Sequence, residues 1–192
     1  MQPLVLASSS PYRRALLDKL QLPYNCHSPD IDESRHPKET PQQLVMRLSE
    51  EKARAVAIKH PGSIIIGSDQ VAVLNEHVMG KPGSKEKAIQ QLQQASGKRV
   101  TFLTGLSVID TRNTTIQTEV IPYHVYFRLL NRKMIENYID KESPLDCAGS
   151  FKSEGLGIAL FEKLEGDDPN ALVGLPLICL TSMLSKCGIS AI

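Results

Sequence analysis

No stretch of this sequence approaches the roughly 18 consecutive apolar residues that a membrane-spanning helix needs. The run at residues 4–7 is too short for the apolar segment of a secretory leader, so a soluble, cytoplasmic protein is expected, with no membrane partner. The four cysteines, Cys26, Cys147, Cys179 and Cys187, form no C-x-x-C pair, and the five histidines are scattered without ligand spacing. A disulfide framework and a zinc site are therefore both unsupported, and the cysteines read as reduced thiols. Basic residues are not in excess. The formal net charge is +1 over 192 residues, which argues against a nucleic-acid-wrapping protein but leaves room for a local basic pocket for a small polyanion. The phosphate-binding pattern G-x-x-x-x-G-K-[ST] is missing, and there is no internal repeat, linker or low-complexity segment.

With 41% hydrophobic residues, the chain can bury a substantial core as one domain of two lobes. Its most informative stretch is Ile64-Ile65-Ile66-Gly67-Ser68-Asp69-Gln70. Three β-branched residues in a row predict a strand buried on both faces, and the strand is expected to end at the small-polar-acid cluster. In an open α/β sheet, ligands bind at the ends of buried strands. Asp69 is thus either a site acid or the closing residue of a turn before residues 71–73.

Residues 3–7 predict a short strand, followed by Ser8-Ser9-Ser10-Pro11, a serine cap with proline at the first helical position. The helix that follows carries Arg13 and Arg14 in its first turn, where cations oppose the helix dipole. Hydroxyls, free N–H groups and two guanidiniums there suit a phosphate cradle, or else a solvated basic turn. Residues 22–27 predict a second strand, and residues 28–37 a polar loop bearing Asp30, Asp32 and Glu33. Thr40-Pro41-Gln42-Gln43 predicts a capped helix running to about Lys59. Its apolar side includes Leu44, Val45, Leu48, Ala55 and Val56, with Lys52 on or near that side, either snorkelling outward or pointing at an anion.

Residues 71–74 and 77–79 predict a hairpin across Asn75-Glu76, leading to Gly80-Lys81-Pro82, a rigid turn that presents Lys81. Ser84 caps a helix ended by Gly97. Residues 100–109 and 115–129 predict an antiparallel pair with an edge or bend at Pro122, and Asn131 caps another helix. Residues 147–155 are a functional loop or a connector, 157–164 a strand, 167–170 a turn, and 176–186 a last helix. Cations alone would bind phosphates, whereas carboxylates beside phosphates repel them unless a divalent metal intervenes or a carboxylate must activate water. Glu33 and Asp69 among Arg13, Arg14, Lys52 and Lys81 therefore favour catalysis on a polyphosphate over simple binding.

Six ordered blocks carry a family resemblance: Leu6-Ala7-Ser8-Ser9-Ser10-Pro11 with Arg13-Arg14, Asp32-Glu33, Glu51-Lys52-Ala53, Gly67-Ser68-Asp69-Gln70, Gly80-Lys81-Pro82, and Gly149-Ser150-Phe151-Lys152-Ser153-Glu154-Gly155. Together the blocks span nearly the whole chain, and it resembles the Maf nucleotide pyrophosphatases. The resemblance implies an α/β fold, a single mixed-sheet domain of two lobes around a central cleft, akin to the inosine triphosphatase architecture and often dimeric. It implies hydrolysis of nucleoside triphosphates to monophosphate and pyrophosphate with a divalent metal (magnesium, manganese or cobalt). By position, Asp69 would be the base, Glu33 a metal or water partner with Asp69, and Lys52 and Lys81 catalytic cations. Ser8, Arg13 and Arg14 would grip phosphate.

Within the family, many relatives acting on dTTP and UTP carry threonine after the block-four aspartate. Gln70, with Phe151-Lys152-Ser153-Glu154, looks like the 7-methyl-GTP branch instead. Tyr12, Gln70 and Glu154 would then set base specificity, Tyr12 standing where tryptophan is expected and keeping an aromatic face for a cationic base. Other readings are a dTTP/UTP-type pyrophosphatase and a nucleotide-sensing regulator, since family members have been linked to inhibition of septum formation.

Overall fold

A computed structural model describes residues 2–192. Its strands are β1 (Leu4–Ala7), β2 (Asn25–Cys26), β3 (Ile64–Leu74), β4 (His77–Met79), β5 (Arg99–Asp110), β6 (Thr115–Phe127) and β7 (Phe161–Glu165). Its helices are α1 (Pro11–Asp18), α2 (Pro41–Ala57), α3 (Lys85–Ala95), α4 (Arg132–Glu142) and α5 (Leu177–Lys186). The strands form one mixed sheet in the order β2-β1-β3-β5-β6-β7, with β4 on β3. The α/β class and mixed sheet are as the sequence predicts.

The chain divides into two compact units. The first comprises the residues up to Gln70, Thr104–Ile121 and Asp168–Ile192, and the second Val71–Leu103 with Pro122–Asp167. Strands β3, β5 and β6 run through both.

In the first unit, β1 pairs in parallel with β2 and with β3. Successive side chains of a strand point to opposite faces, and the apolar residues obey that period. Leu4, Leu6, Ile64 and Ile66 pack with Leu16 and Leu17 of α1 and with Leu180 and Leu184 of α5. Val5, Ala7 and Ile65 pack with Ala53 and Val56 of α2 on the other side. The three consecutive isoleucines are thus buried on both faces, as expected.

Helix α2 begins with a full capping box. The Gln43 N–H donates to Thr40 Oγ1 at 3.2 Å, and the Thr40 N–H donates to Gln43 Oε1 at 2.9 Å. It lies unusually close to the sheet. A Cβ on Gly67 would stand 2.2 Å from the Ser49 carbonyl oxygen, and one on Gly105 would stand 2.1 Å from the Val45 carbonyl oxygen. The serine on this helix face is also accommodated, because Ser49 Oγ bonds Ser107 Oγ at 3.0 Å.

The second unit is built around the aromatic rings of Phe102, Phe127, Phe151 and Phe161, which meet edge to face at centroid distances between 4.8 and 5.5 Å. Block six therefore supplies a core residue, Phe151, as well as polar ones. The hairpin forms where Asn75-Glu76 predicts it, both residues taking positive φ (49° and 67°) between β3 and β4. Pro122 is exposed at the point where β6 passes between units. No helix among the described residues is long and apolar enough to cross a membrane.

Three elements differ from expectation. β3 does not end at the small-polar-acid cluster; it runs on through Asp69 to Leu74, flanked by β5 and, from Ala72 on, paired antiparallel with β4. β2 is only two residues long, with Pro23, which has no N–H to offer a ladder, just before it, and it is exposed at the edge of the sheet. Residues 156–160 form a 3-10 turn rather than the first half of a strand, and a Cβ on Gly157 would stand 2.2 Å from the Lys152 carbonyl oxygen.

Gly67→Ala should force α2 off the sheet. We expect a loss of about 2–3 kcal/mol, seen as a fall in melting temperature of about 4–12 °C for a chain of this size. Gly80→Ala, with nothing within 4 Å of the added carbon, should leave the melting temperature unchanged or slightly raised.

Candidate active site

The same alternation that buries the isoleucines decides where the polar end of block four points. Gly67 faces α2, and Asp69, two residues on, shares that side; Ser68 and Gln70 share the opposite one. β1 stops at Ala7, paired with Gly67, so Asp69 lies just past the end of its parallel neighbour. The acid sits at a strand end, but that end belongs to β1.

On the α2 side, Lys52 Nζ donates to Asp69 Oδ1 at 2.7 Å and meets Glu33 Oε1 at 3.0 Å. Lys52 is 5% exposed and Asp69 7%, whereas the Glu33 side chain is 59% exposed. The lysine therefore does not snorkel outward. A buried ammonium needs carboxylate partners, and α2 brings it to two.

Glu33 reaches Lys52 because its loop is tied to α2 through Arg47 and Glu39, which the sequence reading passed over. Arg47 Nε donates to Glu39 Oε1 at 2.7 Å, its Nη2 to Glu39 Oε2 and to the Ser34 carbonyl at 3.0 Å each, and its Nη1 to Glu51 Oε2 at 3.0 Å. The Arg47 hydrogen bonds hold the Glu39 carboxyl down at about 2, against an ordinary value of 4.5. The signal available was the forked geometry an arginine offers a carboxylate, eight positions apart across a capped helix start.

On the opposite side lie Arg13, Ser68 and Gln70. Arg13 Nε donates to the Gly174 carbonyl at 2.9 Å, and Ser68 Oγ donates to the same carbonyl and to that of Gly105, each at 2.9 Å. Burial pulls the Arg13 guanidinium below its ordinary value, and the nearby charges of Asp69 and Glu33 push it back up. Gln70 turns its amide inward: Nε2 donates to the Ala171 carbonyl at 2.6 Å, Thr104 Oγ1 at 2.9 Å and the Leu172 carbonyl at 3.2 Å.

Ser8 is buried at the end of β1, its Oγ accepting the Ser10 N–H at 3.1 Å. Arg14 diverges from Arg13: it is exposed and donates to the Ser9 carbonyl at 3.1 Å. Tyr12 is partly exposed on α1. Lys81 and Glu154 belong to the second unit, and both are exposed, Glu154 Oε2 accepting from Ser153 Oγ at 3.3 Å.

Among the described residues no three or more His, Cys, Asp and Glu side chains group closely enough to cage a metal ion. Glu33 and Asp69 are hard oxygen donors gathered on one lysine. They are the carboxylates here that could take part in holding a divalent ion.

An acid, a buried lysine and a serine-capped arginine turn, brought together from blocks far apart in sequence, can be set beside known proteins. The model of the Maf family, described as Maf-like protein, matches residues 3–187. The chain belongs to the Maf family. It is 61% identical to the 7-methyl-GTP pyrophosphatase of Alcanivorax borkumensis over 186 residues, covering 97% of this chain and 94% of that one. It is 56% identical to the 7-methyl-GTP pyrophosphatase of Aliivibrio fischeri over 189 residues, covering 98% of each. Among solved structures, the Staphylococcus aureus Ham1 protein aligns with 66% of this chain and 71% of its own, with a TM-score of 0.44 at 19% identity.

Within this Maf chain, the tie between Glu39 and Arg47 carries a pH signature. A carboxyl depressed on folding contributes stability above its unfolded value and loses it as pH falls through the folded one. The contribution of Glu39 should be complete above about 4.5 and gone by about 2. Urea unfolding of the natural chain and Glu39→Gln should differ by a constant amount at pH 5–7, and the two should converge toward pH 2. Asp110, also held at about 2 by Arg112, adds a parallel acid loss that the variant leaves untouched.

Proposed function

We propose that this chain is a nucleoside triphosphate pyrophosphatase that converts 7-methyl-GTP to 7-methyl-GMP and pyrophosphate. The observation that carries the chemistry is the buried Lys52 shared between Asp69 and Glu33. The base preference is supported by the names of the two relatives at 61% and 56% identity.

In this reading a water oxygen attacks the α-phosphorus, the bond from that phosphorus to the oxygen bridging to the β-phosphorus breaks, and pyrophosphate leaves. Asp69 accepts the proton of the attacking water. An arriving triphosphate competes with Asp69 and Glu33 for the Lys52 ammonium, which releases carboxylate oxygen for that proton while the cation turns to phosphate. Arg13, with its Nε fixed on Gly174, presents its terminal nitrogens to phosphate oxygens. Ser8 completes the proposed phosphate grip on the first unit, and Tyr12 offers an aromatic face to a base that methylation has made cationic; the family resemblance also assigns Lys81 to phosphate and Glu154 to the base. A divalent ion held by Asp69 and Glu33 would supply neutralisation of the phosphate charge.

The test is pyrophosphate release from 7-methyl-GTP, GTP, dTTP and UTP by the purified chain. We expect 7-methyl-GTP to have the highest kcat/KM of the four; a higher value for dTTP or UTP would overturn the base assignment. Asp69→Asn removes a proton acceptor but almost no volume. It should lower kcat at least about a hundredfold; the melting temperature should fall, since Lys52 then keeps only Glu33 as a carboxylate partner, and a kcat loss under tenfold in the folded variant would remove Asp69 from the chemistry.

A triphosphate facing two carboxylates needs an intervening cation. Excess EDTA should therefore abolish turnover, and added magnesium or manganese should restore it. Full turnover in EDTA would exclude a divalent requirement.

A further inference from the structure

Gln70 follows the proposed base directly, yet its amide does not point into open space. Nε2 has two hydrogens and three acceptors within reach, the carbonyls of Ala171 and Leu172 and the hydroxyl of Thr104. Thr104 Oγ1 itself donates to the Ala171 carbonyl at 2.8 Å, so two side chains converge on one peptide of the 3-10 turn Pro169–Val173. The far end of that turn is held by Asp168, which is buried. Its Oδ1 accepts the Asn170 N–H at 2.8 Å, and its Oδ2 accepts the Ile178 N–H in the first turn of α5 at 2.7 Å.

The turn closes on Gly174, whose φ of 107° is open to glycine and strained for other residues. Its carbonyl receives Arg13 Nε and Ser68 Oγ. A Cβ at Gly174 would lie 3.4 Å from Arg13 Nε and 3.9 Å from Gln70 Oε1, so the three residues are neighbours. An arginine in the first turn of a helix gains nothing from the dipole there, and fixing Nε leaves the two terminal nitrogens of the planar fork as its remaining donors.

We propose that Gln70 is a positioning residue for Arg13. Its amide holds the Pro169–Val173 turn, the Gly174 carbonyl at the end of that turn fixes the guanidinium, and Gln70 thereby acts on the phosphate grip rather than on the base. This rests on the reading of the chain as a triphosphate pyrophosphatase. Under it, loss of Gln70 is felt equally by every substrate and is not felt at all once Arg13 is gone.

The experiment measures kcat/KM for 7-methyl-GTP and GTP, and the inhibition constant of inorganic tripolyphosphate, which has no base. The proteins compared are the natural chain, Gln70→Ala, Arg13→Ala and the double variant. We expect Gln70→Ala to lower both nucleotide values by a similar factor of about ten, the cost of losing one well-placed hydrogen bond to a charged ligand, and to weaken tripolyphosphate alike. The double variant should fall within about twofold of Arg13→Ala, since coupled residues are not additive.

A loss confined to one nucleotide with tripolyphosphate unchanged, or losses that multiply in the double variant, would overturn the proposal. Gln70→Glu keeps the size but turns acceptors toward carbonyls, and should be worse than Gln70→Ala; equal or better activity would count against the turn-holding role. If Gln70→Ala does not fold, Thr104→Val removes the second donor to Ala171 and is read by the same criteria. A natural chain that turns over neither nucleotide would instead refute the pyrophosphatase reading itself, and the positioning role with it.

Discussion

A lysine only 5% exposed, Lys52, is the constraint on which the first unit turns. An uncompensated buried charge costs several kcal/mol, so the fold has to carry carboxylates to Lys52 or lose it to solvent. The Asp69 partner is reached only if α2 lies against β3 closely enough to exclude water. Gly67 and Gly105 make that approach possible, since a Cβ at either would stand about 2 Å from an α2 carbonyl oxygen. The Glu33 partner comes from an exposed loop, and the Arg47 fork on Glu39 and Ser34 fixes that loop to the same helix. Packing, loop anchoring and charge pairing are thus one requirement expressed at three distances from Lys52.

A second cation arrives from the other face of the sheet under a different constraint. Arg13 lies in the first turn of α1, where the dipole opposes it, and burial opposes it further. Its compensation is split between the charges of Asp69 and Glu33 and a backbone carbonyl at Gly174. Arg14, one residue on, faces solvent, so a pair of adjacent arginines divides into one inward and one outward. The termination of β1 at Ala7 while β3 continues is what allows helices on opposite faces to deliver charge to the same short stretch, residues 67–70.

Much of this was legible in the residues. Serine and threonine caps followed by proline placed α1 and α2, the three isoleucines placed β3, and Asn75-Glu76 placed the hairpin, because each is a local signal whose cause lies within a few positions. Lys52 was legible as an anomaly, a charge on an apolar helix side. What resolved the anomaly was not, since which anion a buried lysine meets depends on helix-to-sheet distance. That distance is set by two glycines 38 positions apart, Gly67 and Gly105, and glycine by itself announces only freedom.

The least legible part was the end of β3. A small-polar-acid cluster after an apolar run reads as a strand terminus, yet the strand continues because β5 is its neighbour on the far side from β1 and the β4 hairpin adds a second partner from Ala72 on. Once the strand continues, its two-residue period assigns directions that no motif does: Asp69 toward α2, Ser68 and Gln70 toward the turn before α5. Four adjacent residues, read as a single block, therefore make two sets of contacts on opposite faces. Asp69 on one side meets Lys52, and Ser68 and Gln70 on the other govern where the Gly174 carbonyl, and with it Arg13, can stand.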